Sequence, residues 1–224
     1  MTRQVVFLLH GLGANAATLW PLATWMRRQH DRVHNISYNV GAPRIDEMVA
    51  SADAAMREHA DPDEDTVVLV GHSMGGLVAN RLHTRGWRVS AAVYIASPLR
   101  GARLVGELEA VLPARVADAL RREIYAVLQA KEPERPPAHP YRTISVSWPG
   151  TSFDGRVYRD EACLDEACHV HLPWADHCLV VANPRLWYWV ERLVAECRRQ
   201  ADATGTRMRP RRRRKRPRAP GVSD

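Results

Sequence analysis

The sequence predicts an α/β fold: a mostly parallel central sheet with helices on both faces. Three observations predict it. Short β-branched runs alternate with amphipathic stretches along the chain, which is the pattern of successive βαβ units. Runs such as Val5–Leu9 and Thr66–Val70 suit strands buried on both sides. The chain has 224 residues, enough for one domain around a single core.

The elements follow in order. Val5–Leu9 reads as a first strand. Ala17–His30 reads as a helix, with Leu19, Leu22, Ala23 and Met26 spaced i, i+3, i+4, i+7. Val33–Val40 reads as a second strand, ending at Gly41-Ala42-Pro43. Ile45–His59 is a second helix closed by Asp61-Pro62. Thr66–Val70 is a third strand, followed at once by Gly71-His72-Ser73-Met74-Gly75-Gly76. A third helix then runs to about Thr84 and stops at Arg85-Gly86. Ala91–Ala96 is a fourth strand, ended by Ser97-Pro98. Residues 101–131 read as a helical insertion and 133–140 as a proline-rich connector, together a short cap-like insertion over 101–140. Tyr141–Trp148 is a fifth strand and His169–Leu172 a short sixth. Asn183–Arg198 is a closing helix, whose Trp187, Tyr188 and Trp189 are expected to pack on the sheet.

The formal charge of +7 is unevenly spread. Residues 207–224 hold nine Lys/Arg and one Asp, or +8, which leaves −1 for residues 1–206. The first 206 residues are therefore the expected domain, and 207–224 a polybasic tail too poor in apolar residues to fold alone. Its Arg211–Arg216 block suits contact with an anionic membrane surface or nucleic acid. No run approaches the roughly 20 apolar residues of a membrane span, and no secretory signal precedes the first strand. The expected location is cytoplasmic, or nuclear in a eukaryotic host. Four cysteines, Cys163, Cys168, Cys178 and Cys197, are expected to be free in a reducing compartment, and Cys163 and Cys168 could pair in an exported chain. Cys163, Cys168, His169, His171, His177 and Cys178 cluster in sequence, but their spacing matches no zinc ligand set. No metal is expected. His169 and His171 are read as structural.

Sites in such a sheet lie at the carboxyl ends of the strands. There, Gly71-His72-Ser73-Met74-Gly75 matches G-x-S-x-G between a strand and a helix. A serine on that tight turn is held with its oxygen exposed, and small residues two positions away leave room for the turn. His10-Gly11-Leu12-Gly13 follows the first strand. Two backbone N–H groups aimed at one point can hold an oxyanion, and those of Leu12 and Met74 are the candidates, with His10 ordering the loop. Serine needs a base. Among ten histidines, His177 lies after the last short strand and before the closing helix, while His72 is expected to face away from the nucleophile. Asp154, before Gly155 in the loop after the fifth strand, is the candidate acid. Asp160, Glu161 and Asp165 are its rivals. Asp176 is disfavoured because adjacent residues rarely point at one another.

These motifs, with Ala96-Ser97-Pro98-Leu99-Arg100-Gly101 and Asp154-Gly155-Arg156-Val157, resemble those of the α/β-hydrolase superfamily, and within it the small bacterial-type lipases and esterases. The resemblance spans about residues 5–198. It implies a minimal version of that fold lacking the first two strands, and a small cap at most. It implies Ser73, Asp154 and His177 as the triad, Leu12 and Met74 as oxyanion donors, and hydrolysis of acyl or lipid esters without a cofactor. Leu12, Leu99, Leu104 and Leu108 are expected to line an acyl pocket. A thioesterase or acyltransferase on the same fold is the alternative within this class. A hydrolase-like binding protein that no longer catalyses is the alternative outside it. No obligate protein partner is inferred.

Overall fold

The computed structural model describes residues 3–42, 44–104, 107 and 137–203. Six strands form one sheet: β1 Gln4–Leu9, β2 Val33–Ile36, β3 Thr66–His72, β4 Val89–Ile95, β5 Tyr141–Ser147 and β6 His169–Pro173. Their order is β2-β1-β3-β4-β5-β6, and all five pairings are parallel. Among the described residues the helices are α1 Trp20–Met26, α2 Ile45–Arg57, α3 Met74–Leu82, the single turn α4 Arg159–Ala162, and α5 Pro184–Ala203. A parallel pair cannot be closed by a hairpin, so each strand is followed by a crossover. Among the described residues, α2 and α3 cover one face and α1 and α5 the other.

Strand periodicity sorts the core into two clusters. Val5, Phe7 and Leu9 of β1 face one way, with Leu69, Met48, Met56, Leu77 and Leu82 from β3, α2 and α3. Val6 and Leu8 face the other way, against Leu22 and Met26 of α1 and Leu186, Val190 and Leu193 of α5. The chain steps from β1 to β2 in one direction and then crosses back to β3 in the other. The crevice between the ends of β1 and β3 is therefore the topological switch point, where open α/β sheets hold their ligands.

Several boundaries differ from the sequence expectation. The first helix is shorter: a 3₁₀ turn spans Ala16–Leu19, and α1 starts only at Trp20 with Pro21 in its first turn, where a missing N–H costs nothing. It stops at Met26 in a series of tighter turns. β2 ends at Ile36 because its one neighbour, β1, ends opposite it at Leu9. β3 runs two residues further, to His72, since Gly71 and His72 still pair with Tyr94 and Ile95. α5 extends to Ala203, and Trp187 and Trp189 pack partly buried against the sheet cluster, while Tyr188 stays exposed. Most of the insertion, residues 105–106 and 108–136, lies outside the described residues, as does the Arg211–Arg216 block. No described helix is long and apolar enough to cross a membrane.

Candidate active site

Ser73 sits between β3 and α3 at φ 54° and ψ −124°, a left-handed conformation that costs a non-glycine residue on the order of 1–3 kcal/mol. The surroundings hold it there. Its N–H donates to the Ile95 carbonyl at 2.8 Å, and its own carbonyl accepts from Gly76 at 2.9 Å. The neighbouring glycines are close-approach positions. A Cβ on Gly75 would stand 2.2 Å from the Leu9 carbonyl oxygen, and one on Gly71 would stand 2.5 Å from the Gly76 Cα. The turn can press α3 against β1 only without those side chains.

His177 reaches the serine from the loop after β6. Its Nε2 lies 2.9 Å from Ser73 Oγ. Its Nδ1 lies 2.7 Å from Asp154 Oδ2. Both Asp154 and His177 are buried. The turn after β5 holds the carboxylate: Asp154 Oδ1 accepts the N–H of Arg156 at 2.8 Å and of Val157 at 2.7 Å. With Oδ1 occupied by the backbone, Oδ2 is left for the imidazole. The His177 N–H also donates to the Asp154 carbonyl at 3.2 Å, which ties the two loops together. An imidazole whose Nδ1–H is held by a carboxylate presents a basic Nε2, and such a base can take a hydroxyl proton.

The rival acids are engaged elsewhere. Asp160 and Glu161 both bind Arg103, and Glu161 also accepts the Tyr158 N–H at 2.8 Å. Asp165 caps a short turn at Ala167. Asp176 accepts from Cys178 and Leu179 at 2.8 and 3.1 Å, so it shapes the histidine loop from the backbone side.

The first loop runs beside the serine. A Cβ on Gly11 would stand 2.9 Å from Ser73 Cβ. Met74 opens α3, where an N–H has no partner within its own helix, and the positive end of the helix favours negative charge there. Among the described residues, no hydrogen bond engages the N–H of Leu12 or of Met74. His10 Nδ1 lies 3.1 Å from the Gly11 carbonyl, and the Tyr38 hydroxyl donates to the His10 carbonyl at 2.6 Å. Burial lowers the His10 pKa and raises that of Tyr38, which keeps both neutral. The sequence carries no signal for Tyr38, because the contact joins loops 28 residues apart.

One expectation is corrected. His72 does not face away from the site. Its Nε2 lies 2.8 Å from the His177 carbonyl oxygen, and the two rings are 5.1 Å apart. Burial, reinforced by the neighbouring His177, pushes His72 down to about 4.

Of the leucines expected around an acyl pocket, Leu12 and Leu104 are half-buried, and Leu108 lies outside the described residues. Leu99 is buried in the α2/α3-side core cluster, against which Leu12 also packs. His169 and His171 sit on β6 bonded to the hydroxyls of Thr143, Ser145 and Ser147. The four cysteines are free thiols. No group of three or more potential metal ligands occurs among the described residues.

Residues 5–221 match the family model described as "Alpha/beta hydrolase family". Solved structures share the fold. A Bacillus licheniformis lipase in its mature form aligns with a TM-score of 0.59 at 16% identity, over 86% of this chain and 92% of its own. A polyneuridine aldehyde esterase aligns with a TM-score of 0.60 at 13% identity, over 88% and 99%. A type II thioesterase from the borrelidin biosynthetic cluster aligns at 0.53 and 17% identity, over 86% and 93%. No curated protein is a significant match.

Proposed function

The chain belongs to the alpha/beta hydrolase family, and we propose that it is a serine hydrolase that cleaves acyl esters through an acyl-enzyme. The observation that carries the proposal is the unbroken chain from Ser73 Oγ through His177 to Asp154, at 2.9 and 2.7 Å, on a strained turn. His177 Nε2 takes the Ser73 proton as Oγ bonds to the carbonyl carbon. The Leu12 and Met74 N–H groups hold the resulting oxyanion. His177 returns the proton to the departing alcohol as the carbon–oxygen bond breaks. Water then repeats the sequence: it gives a proton to His177 and attacks the acyl carbon, and as the carbon–Oγ bond breaks His177 returns the proton to Ser73 Oγ and the acid leaves. Asp154 keeps the Nδ1–H tautomer and stabilises the imidazolium. Leu12 and Leu104 are proposed to meet the acyl chain.

Structural neighbours named as a lipase, an esterase and a thioesterase support acyl transfer to water as the reaction class, and a thioester is the second substrate reading. The test is labelling with a fluorophosphonate probe, followed by a panel of esters and thioesters of rising chain length. Labelling of the wild type that is lost in folded Ser73→Ala and His177→Ala variants is the expected result. A folded wild type that neither labels nor turns over any acyl donor would leave a binding protein on a hydrolase fold. Tenfold preference for thioesters over matched esters would move the second reading ahead.

A further inference from the structure

Resting on that proposed hydrolase chemistry, we infer that His72 is a positioning residue: its imidazole donates Nε2–H to the His177 carbonyl and so holds the His177 ring in line between Asp154 and Ser73. Three observations carry this. The Nε2 to oxygen distance is 2.8 Å. A carbonyl only accepts, so Nε2 must bear the proton. The opposite edge of the ring lies against the first loop, where a Cβ on Gly11 would stand 3.4 Å from His72 Nδ1. The imidazole thus fills the space between the loop that carries Leu12 and the loop that carries His177.

The chemistry needs such a brace. His177 comes from a loop between β6 and a 3₁₀ turn at Leu179–Ala182, not from a regular element. Its backbone N–H is held by Asp154 and its carbonyl by His72. With the peptide groups on both sides of the His177 Cα held, the base of the ring has little freedom to move. A neutral brace also suits the reaction, because a second cation 5.1 Å away would oppose the imidazolium that forms at His177. The groups facing His72 are His177, Asp154 and Arg156, and burial keeps the ring uncharged.

The experiment compares wild type, His72→Gln and His72→Leu. Glutamine keeps an N–H donor at similar reach, and leucine keeps the bulk without it. Two readouts are taken on each ¹⁵N-labelled protein: the downfield proton resonance of His177 Nδ1–H, and the second-order rate of fluorophosphonate labelling. The expected result is a sharp resonance and near wild-type labelling in the glutamine variant. In the leucine variant the resonance is lost and labelling slows roughly ten- to a hundredfold. Unchanged resonance and labelling in the leucine variant would overturn the inference. So would ring ¹⁵N shifts showing His72 of the wild type protonated at Nδ1, a measurement that needs no variant to fold. If the resonance behaves as expected but even the wild type does not label, the brace stands and the hydrolase reading falls.

Discussion

Ser73, His177 and Asp154 form a directional chain, and direction is what a single-atom change can destroy. In Asp154→Asn, the amide oxygen can still accept from Arg156 and Val157, as Oδ1 does now. The amide nitrogen would then face His177 Nδ1 and donate to it. That forces the proton onto Nε2, where it can no longer accept from Ser73. The expected outcome is a fall in turnover of about 10⁴-fold with little loss of stability, checked by initial rates beside a urea titration. A variant that retains a tenth of the activity would remove Asp154 from the proposed mechanism. The serine and its glycines were legible in the sequence because the turn imposes local steric demands. The sequence points to Asp154 as the acid, with Asp160, Glu161 and Asp165 as rivals that its local pattern does not exclude. Asp154, Asp160, Glu161 and Asp165 lie within one loop region, and what separates them is where the fold places each carboxylate: Asp154 Oδ2 stands 2.7 Å from His177 Nδ1, while Asp160 and Glu161 turn to Arg103 and Asp165 to the Ala167 N–H.

At the scale of elements, β5 and β6 carry a second polar system that the mechanism does not use. Thr143 Oγ1 bonds His169 Nδ1 at 2.7 Å, and Ser145 Oγ bonds His169 Nε2 at 2.9 Å. Ser145 Oγ also bonds His171 Nδ1 at 2.8 Å, and Ser147 Oγ bonds His171 Nε2 at 3.2 Å. The parallel register places Thr143 beside His169 and Ser145 beside His171, so the period of two along each strand builds the ladder. The three hydroxyl residues are buried, and the imidazoles supply their partners. Ser145→Ala would strand two ring nitrogens at once. A loss of about 1–3 kcal/mol in unfolding free energy is expected, read from the shift of the urea midpoint, and no shift would mean that water replaces the hydroxyl freely. The structural role of the two histidines was legible as an H-x-H strand. The matching alternation of Thr143, Ser145 and Ser147 was equally visible, but strand pairing was not, so the two halves were not joined. Element ends moved for similar reasons: β2 stops where its neighbour stops, and β3 continues as long as β4 pairs with it.

For the whole molecule, the buried histidines couple folding to pH. Burial pushes His72, His139 and His169 each from 6.5 to about 4. The unfolded chain takes up these protons near 6.5, whereas the folded chain resists until about 4. Between those values the unfolded state binds more protons, so stability rises with pH. These groups therefore leave stability whole above pH 6.5 and erode it progressively as pH falls toward 4. Thermal midpoints measured from pH 7.5 down to 4.5 should decline through this window, and His72→Gln should decline less steeply than wild type. A flat profile would mean that the three rings are solvated in the folded state.

The sequence by itself determined the succession of strands and helices, the two-sided burial of the sheet, and the strained serine between Gly71 and Gly75. Each is written in short-range periodicity or in the size of adjacent side chains, which act within a few residues. Only the tertiary structure decided that Asp154, rather than a rival carboxylate, lies within hydrogen-bond distance of His177, that His72 turns toward the site, and that Tyr38 fastens the first loop. The bonds concerned join residues 23, 105 and 28 positions apart, and the link from His177 to Ser73 spans 104. Such contacts exist only once the parallel crossovers have brought the carboxyl ends of β1, β3, β5 and β6 to one edge, and no local pattern encodes which side chain arrives there with a donor or acceptor still unpaired.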